Sequence, residues 1–99
     1  MSLSEILTKV GLRLAEPGLV VVLDATGKDV GVLVLRRKGA LLGVATVMLR
    51  SGGQGTAERW RWSWSTTKLG VMDEGSGSAD DVVEQLLEPV TYTLSRAEP

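Results

Sequence analysis

Residues 60–64 read Trp-Arg-Trp-Ser-Trp. A strand repeats every two residues, so all three indoles leave one face while Arg59, Arg61, Ser63 and Ser65 leave the other. The chain holds one further aromatic residue, Tyr92, and no Phe, so three of its four rings sit on this one strand. Any fold has to bury that face or present it to a partner. Burial beneath helices, as the centre of the core, is the favoured reading. Three uses compete with it. Trp and Arg dominate protein interface hot spots, indoles flanked by arginine can stack on unpaired bases at about 1–3 kcal/mol each, and amphipathic rings can sit at a membrane surface. A protein contact ranks first among the three. The candidate interaction set is therefore Trp60, Trp62 and Trp64 with Arg59, Arg61, Arg37 and Arg50.

The flanking segments suggest an α+β domain. Over residues 2–15, Leu3, Ile6, Leu7, Val10 and Leu14 recur at helical spacing, with Ser2 or Ser4 as cap and Glu5, Lys9 and Arg13 on the other side. Pro17-Gly18 stops that helix. Residues 19–24 form a short β-branched run that reads as a strand buried on both faces, 25–28 a hairpin turn, 29–37 a second strand, 38–40 a turn, and 41–50 a third strand. Residues 51–55 hold no side chain able to build a core and read as a loop. Residues 56–67 form the fourth strand, which 69–72 extend or follow as a separate piece. Residues 73–78 read as a polar loop leading into a capping box, Ser78 to Asp81. Val82, Val83, Leu86 and Leu87 then mark a second helix, ended by Pro89. Alternation of Val90, Tyr92 and Leu94 with polar residues suggests a closing edge strand, and residues 96–99 read as a fraying tail. The expected architecture is a four- to five-stranded antiparallel meander flanked by an N-terminal and a C-terminal helix, in the order α-β-β-β-β-α with an optional final β. Residues 1–99 read as one domain, because two cores do not fit in 99 residues.

The second and third strands are apolar on both faces. Val30, Val32 and Val34 alternate with Leu33 and Leu35; Leu42, Val44 and Met48 alternate with Leu41, Val47 and Leu49. A sheet covered on one side alternates apolar with polar. Two helices of about three turns cover one face, so the other must be closed by curling the sheet or by a partner. A second copy packed sheet to sheet is the simplest partner. Aliphatics left in water would form a patch of several hundred Å², which soluble monomers rarely carry.

Charge and composition narrow the function. Eleven Lys and Arg against twelve Asp and Glu give net −1, which favours neither nucleic acid nor anionic membrane globally. The charge is unevenly placed: residues 1–30 carry −1, 31–70 carry +6 and 71–99 carry −6. Docking of the acidic C-terminal helix onto the basic sheet is the favoured explanation, with a basic stripe for an anionic partner as the alternative. The absence of Cys, His and Asn removes thiolate and imidazole chemistry, disulfides, soft-metal sites and N-glycosylation. The longest apolar run, residues 19–23, is far short of the roughly 20 residues of a membrane span, and no export leader pattern appears. The cytoplasm is the expected location.

Motif tests are negative. Thr26-Gly27-Lys28-Asp29 lacks the earlier Gly (Val22 stands there) and the Ser or Thr after Lys that a phosphate loop requires. Asp73 and Glu84 match the ends of a calcium loop, but Gly75, Gly77 and Ser78 fill the positions that need two side-chain oxygens and a glycine. Asp80-Asp81 reads as ordinary helix-start charge. The expectation is a protein that is not an enzyme and uses no cofactor or metal. It would be a small interaction or scaffold module, homodimeric through its sheet and open to another protein partner, with no membrane role. The alternative is a weak single-stranded nucleic-acid binder.

Overall fold

The computed structural model describes residues 2–24, 29–50, 59–66 and 70–96, with the backbone alone described at Arg50, Gly70, Val71 and Met72. Helix α1 (Leu3–Leu14) precedes five strands, β1 (Leu19–Asp24), β2 (Val30–Arg37), β3 (Ala40–Arg50), β4 (Arg59–Thr66) and β5 (Gly70–Gly77), and helix α2 (Ala79–Arg96) follows. The sheet is an open antiparallel meander in the spatial order β1-β2-β3-β4-β5. Both helices lie on the same side of it and pack on each other, α1 toward β1 and β2 and α2 over β4 and β5. The α+β architecture with flanking helices is the expected one.

Local chemistry explains the boundaries. Ser2 and Glu5 form a reciprocal capping box at the start of α1, and Ser78 and Asp81 form another before α2. Lys38 (φ 52) and Gly39 (φ 79) make the two-residue turn between β2 and β3, both left-handed, as a tight hairpin following the right-handed twist requires. The expected turn at 25–28 and loop at 51–55 lie outside the described residues.

Three expectations need correction. First, strand β5 runs over residues 70–77, so the expected polar loop at 73–78 is strand through Gly77. Gly75 and Gly77 pair with Trp62 and Trp60, and a Cβ on Gly75 would lie 2.7 Å from the Trp62 indole nitrogen. Low strand propensity is overridden here because a bulky indole needs a bare neighbour. Second, α2 does not stop at Pro89 but runs to Arg96, and the closing strand is absent. Val90 is buried and Leu94 packs against the core, continuing the helical row of Val82, Val83 and Leu86, while Tyr92 faces solvent. Tertiary packing of that row outweighs the missing proline N–H. Third, a bulge at Leu35/Arg36 pairs Arg36 with Leu41, so Leu42 packs toward the core and Leu41 does not share the face of Val47.

The core is the space between helices and sheet. Leu33, Leu35, Ala45, Val47, Trp60, Trp62 and Trp64 rise from the strands to meet Leu3, Ile6, Leu7, Val10, Leu14, Val82, Val83, Leu86 and Val90. Each of these residues is almost fully buried.

Candidate functional site

The three indoles are core. Trp64 is fully excluded from solvent and Trp60 and Trp62 nearly so. Helix α2 supplies acceptors for two of them: Trp62 Nε1 donates to Gln85 Oε1 at 2.9 Å, and Trp64 Nε1 donates to Thr93 Oγ1 at 2.9 Å. The Thr93 hydroxyl in turn donates to the Pro89 carbonyl, and Gln85 Nε2 to the Ser76 carbonyl. Among the described residues, no buried side-chain nitrogen or oxygen lacks a partner. Rings held in this way have no face left for a base or for another protein.

Burial of the indoles sends their strand neighbours to the opposite side. Arg59, Arg61, Ser63 and Ser65 lie on the face that the helices do not touch. Register defines the rows of that face. One runs Val22, Val34, Val44, Ser65; the next Asp24, Val32, Thr46, Ser63, Glu74; the third Val30, Met48, Arg61, Ser76. The first row continues on β5 to Val71. Strands β1–β3 contribute mainly aliphatic residues, interrupted by Asp24 and Thr46, and β4 contributes Ser63, Ser65 and Arg61, with Glu74 and Ser76 of β5 beside them. Val20 is 54% exposed, Val22 46% and Met48 41%, so β1 is not the strand buried on both faces that its sequence suggests, because it lies at the sheet edge with no cover on this side. The uncovered face is thus neither wholly greasy nor wholly wet. Its β1–β3 half is a valine-rich floor, and its β4–β5 half is hydroxylic and charged.

The sequence-predicted arginines separate. Arg59 and Arg61 are on the open face, exposed, and Arg36, outside the candidate set, joins them there beside Val20. Arg37 is on the other side, in a 2.6 Å ion pair with Glu16 that leaves its side chain 17% exposed. The Arg50 backbone pairs with Arg59, and its side chain is outside the described residues. Helix α2 does not neutralise the sheet as expected, because it covers the face opposite Arg59 and Arg61. Among the described residues its ion pair runs from Glu84 to Arg13 of α1, at 2.9 Å. The acidic residues of α2 and the exposed arginines of β4 therefore lie on opposite sides of the sheet.

Two concavities accompany these surfaces. One of about 220 Å³ lies on the open face among Thr46, Met48, Arg61, Ser63 and Glu74, below the roughly 300 Å³ where small-molecule sites begin. The other, about 470 Å³, is a groove between the helices, crossed by the Arg13–Glu84 pair and lined also by Lys9, Leu12, Asp80 and Val83. Among the described residues no group of His, Cys, Asp and Glu is placed to hold a metal ion, and no helix is long and apolar enough to cross a membrane. Comparison with known proteins finds no matching family model, no matching curated protein and no matching solved structure.

The favoured reading of the indoles as core is the one observed. The alternating valines at 20, 22, 30, 32, 34 and 44 mark the open face, opposite the parity that carries Leu33, Leu35, Ala45 and Val47 into the core.

Proposed function

We propose that this protein is a non-enzymatic interaction module of the cytoplasm that associates with a second copy of itself through its sheet. One observation carries the reading: the β1–β3 half of the helix-free face is mainly aliphatic, with Val20, Val22 and Met48 each two-fifths exposed or more. Water against such a floor is unfavourable at about 25 cal/mol per Å², and a second copy that covers its β1 side, where Val20 and Val22 are most exposed, lowers that cost without needing any other ligand. Sedimentation velocity over a range of concentrations tests this. The expected result is a shift to the mass of two chains by high micromolar concentration, little changed by added salt because the contact is apolar. A single-chain mass throughout that range overturns the reading.

A second reading, weak single-stranded nucleic-acid binding, draws on Arg36, Arg59 and Arg61, which share the open face and form no ion pair among the described residues. It loses the base-stacking indoles, leaving phosphate contacts alone. Such binding would weaken steeply with salt, which separates it from apolar self-association.

A further inference from the structure

We infer that the two copies meet along β1, pairing edge to edge as antiparallel neighbours so that two five-stranded sheets become one of ten strands. This rests on the self-association proposed above and specifies its geometry. A sheet can meet its copy face to face or edge to edge, and the two edges here are unlike. The β5 edge carries Asp73, Glu74 and three glycines, and a bulge lies where β4 joins β5; charge, glycine and bulges are the devices that keep a sheet edge from pairing. The β1 edge has none of them from Leu19 to Leu23. It reads Leu-Val-Val-Val-Leu, and β2 is its one neighbour among the described strands.

Exposure on both sides of β1 favours the edge. Val20 and Val22 are exposed on the open face. On the helix face, α1 approaches with Gly11, where an added Cβ would sit 3.6 Å from Val21 and 3.8 Å from Leu23, yet Leu23 remains 42% exposed. Face-to-face packing covers the first pair and leaves Leu23 in water. A strand laid alongside β1 shields both sides and also takes up the outward backbone groups.

The strand is self-complementary in one register. Directly opposed residues of an antiparallel pair share a face, so a two-fold axis at Val21 sets Val21 against its own copy, Val20 against Val22, and Leu19 against Leu23. Every pair is aliphatic. Asp24 then falls beyond the pair, opposite Gly18 of the other copy. Leu19 pairs with Arg37, so Gly18 lies next to the end of β2, where the turn carries Lys38, with Arg36 in the adjoining open-face row. The carboxylate thus reaches a basic corner across a residue with no side chain, twice per dimer. An axis at Val22 instead sets Asp24 against Val20, a poorer match.

The chain contains no cysteine, so single cysteines report the geometry. Opposed residues in the pair have Cα atoms about 4.5–5.5 Å apart, inside the span of a disulfide. Val21→Cys is expected to give mostly disulfide-linked dimer under mild oxidation, while Val34→Cys and Met48→Cys on the open face stay monomeric on a non-reducing gel. If Val21→Cys fails to fold by circular dichroism, an equimolar mixture of Val20→Cys and Val22→Cys chains replaces it, and a linked heterodimer is expected. A wild-type dimer whose open-face cysteines link while the β1 cysteines do not overturns edge pairing and leaves self-association standing. A wild-type chain that is monomeric at every concentration overturns both.

Discussion

At the scale of single residues, the fold depends on how space is shared around the indoles. Trp64 lies between Ala45 on β3 and Asp73 on β5, and its ring also covers Gly43, where a Cβ would come within 2.5 Å of the ring carbons and 2.7 Å of the Ser65 carbonyl. The backbone oxygen cannot move aside cheaply. Gly43→Ala is therefore expected to cost about 1–3 kcal/mol in urea unfolding, as overpacking does. Gly31→Ala is expected to cost less, since its contact at 2.7 Å is the flexible tip of Leu7. Equal costs at the two sites would contradict the packing described. The hydroxyl of Thr93 both accepts from Trp64 and donates to Pro89. Thr93→Val leaves the indole N–H buried without an acceptor and is expected to cost about 1–3 kcal/mol, against about 3–5 for Trp64→Ala. These residue roles were only partly legible beforehand. Alternation placed all three indoles on one face, but nothing in a one-dimensional string pairs Trp62 with Gly75 or reaches from Trp64 to Thr93, 29 positions away.

At the scale of elements, the first helix and four strands were readable because local signals agree with the tertiary outcome: Ser2 caps, Pro17-Gly18 stops, and apolar positions keep one period. The two misread elements are those in which local signals oppose it. Strand β5 is glycine-rich because it borders the indoles, so its composition imitates a loop. Helix α2 carries Pro89 eleven residues in, and proline usually ends a helix. Residues 90 and 94 lie two steps apart on a strand and also four apart on a helix, so their spacing fits either element. The helix continues at a local cost, and Pro89→Ala is expected to raise stability by up to about 3 kcal/mol, the proline penalty in a helix interior. A raised midpoint in thermal unfolding with unchanged helical circular dichroism is the expected record. A lowered midpoint would mean that the ring's own packing outweighs the backbone hydrogen bond it displaces.

At the scale of the whole molecule, two helices lie on the same side of five strands, and the surplus aliphatic surface follows from that count. The doubly apolar β2 and β3 announced the surplus; its confinement to β1–β3, with a polar half on β4 and β5, did not follow from periodicity, because the Trp strand spends its apolar parity on the core and leaves arginine and serine outside. Self-association that covers such a surface is apolar, so its strength is expected to change little between low and high salt, whereas binding through Arg36, Arg59 and Arg61 would fade. Amide hydrogen exchange compared between dilute and concentrated protein tests the account most directly, because it locates the covered surface. Added protection at high concentration is expected along β1, whose outward amides gain partners, with β3, β4, β5 and α2 unchanged. Exchange that is identical at the two concentrations along β1 would contradict it.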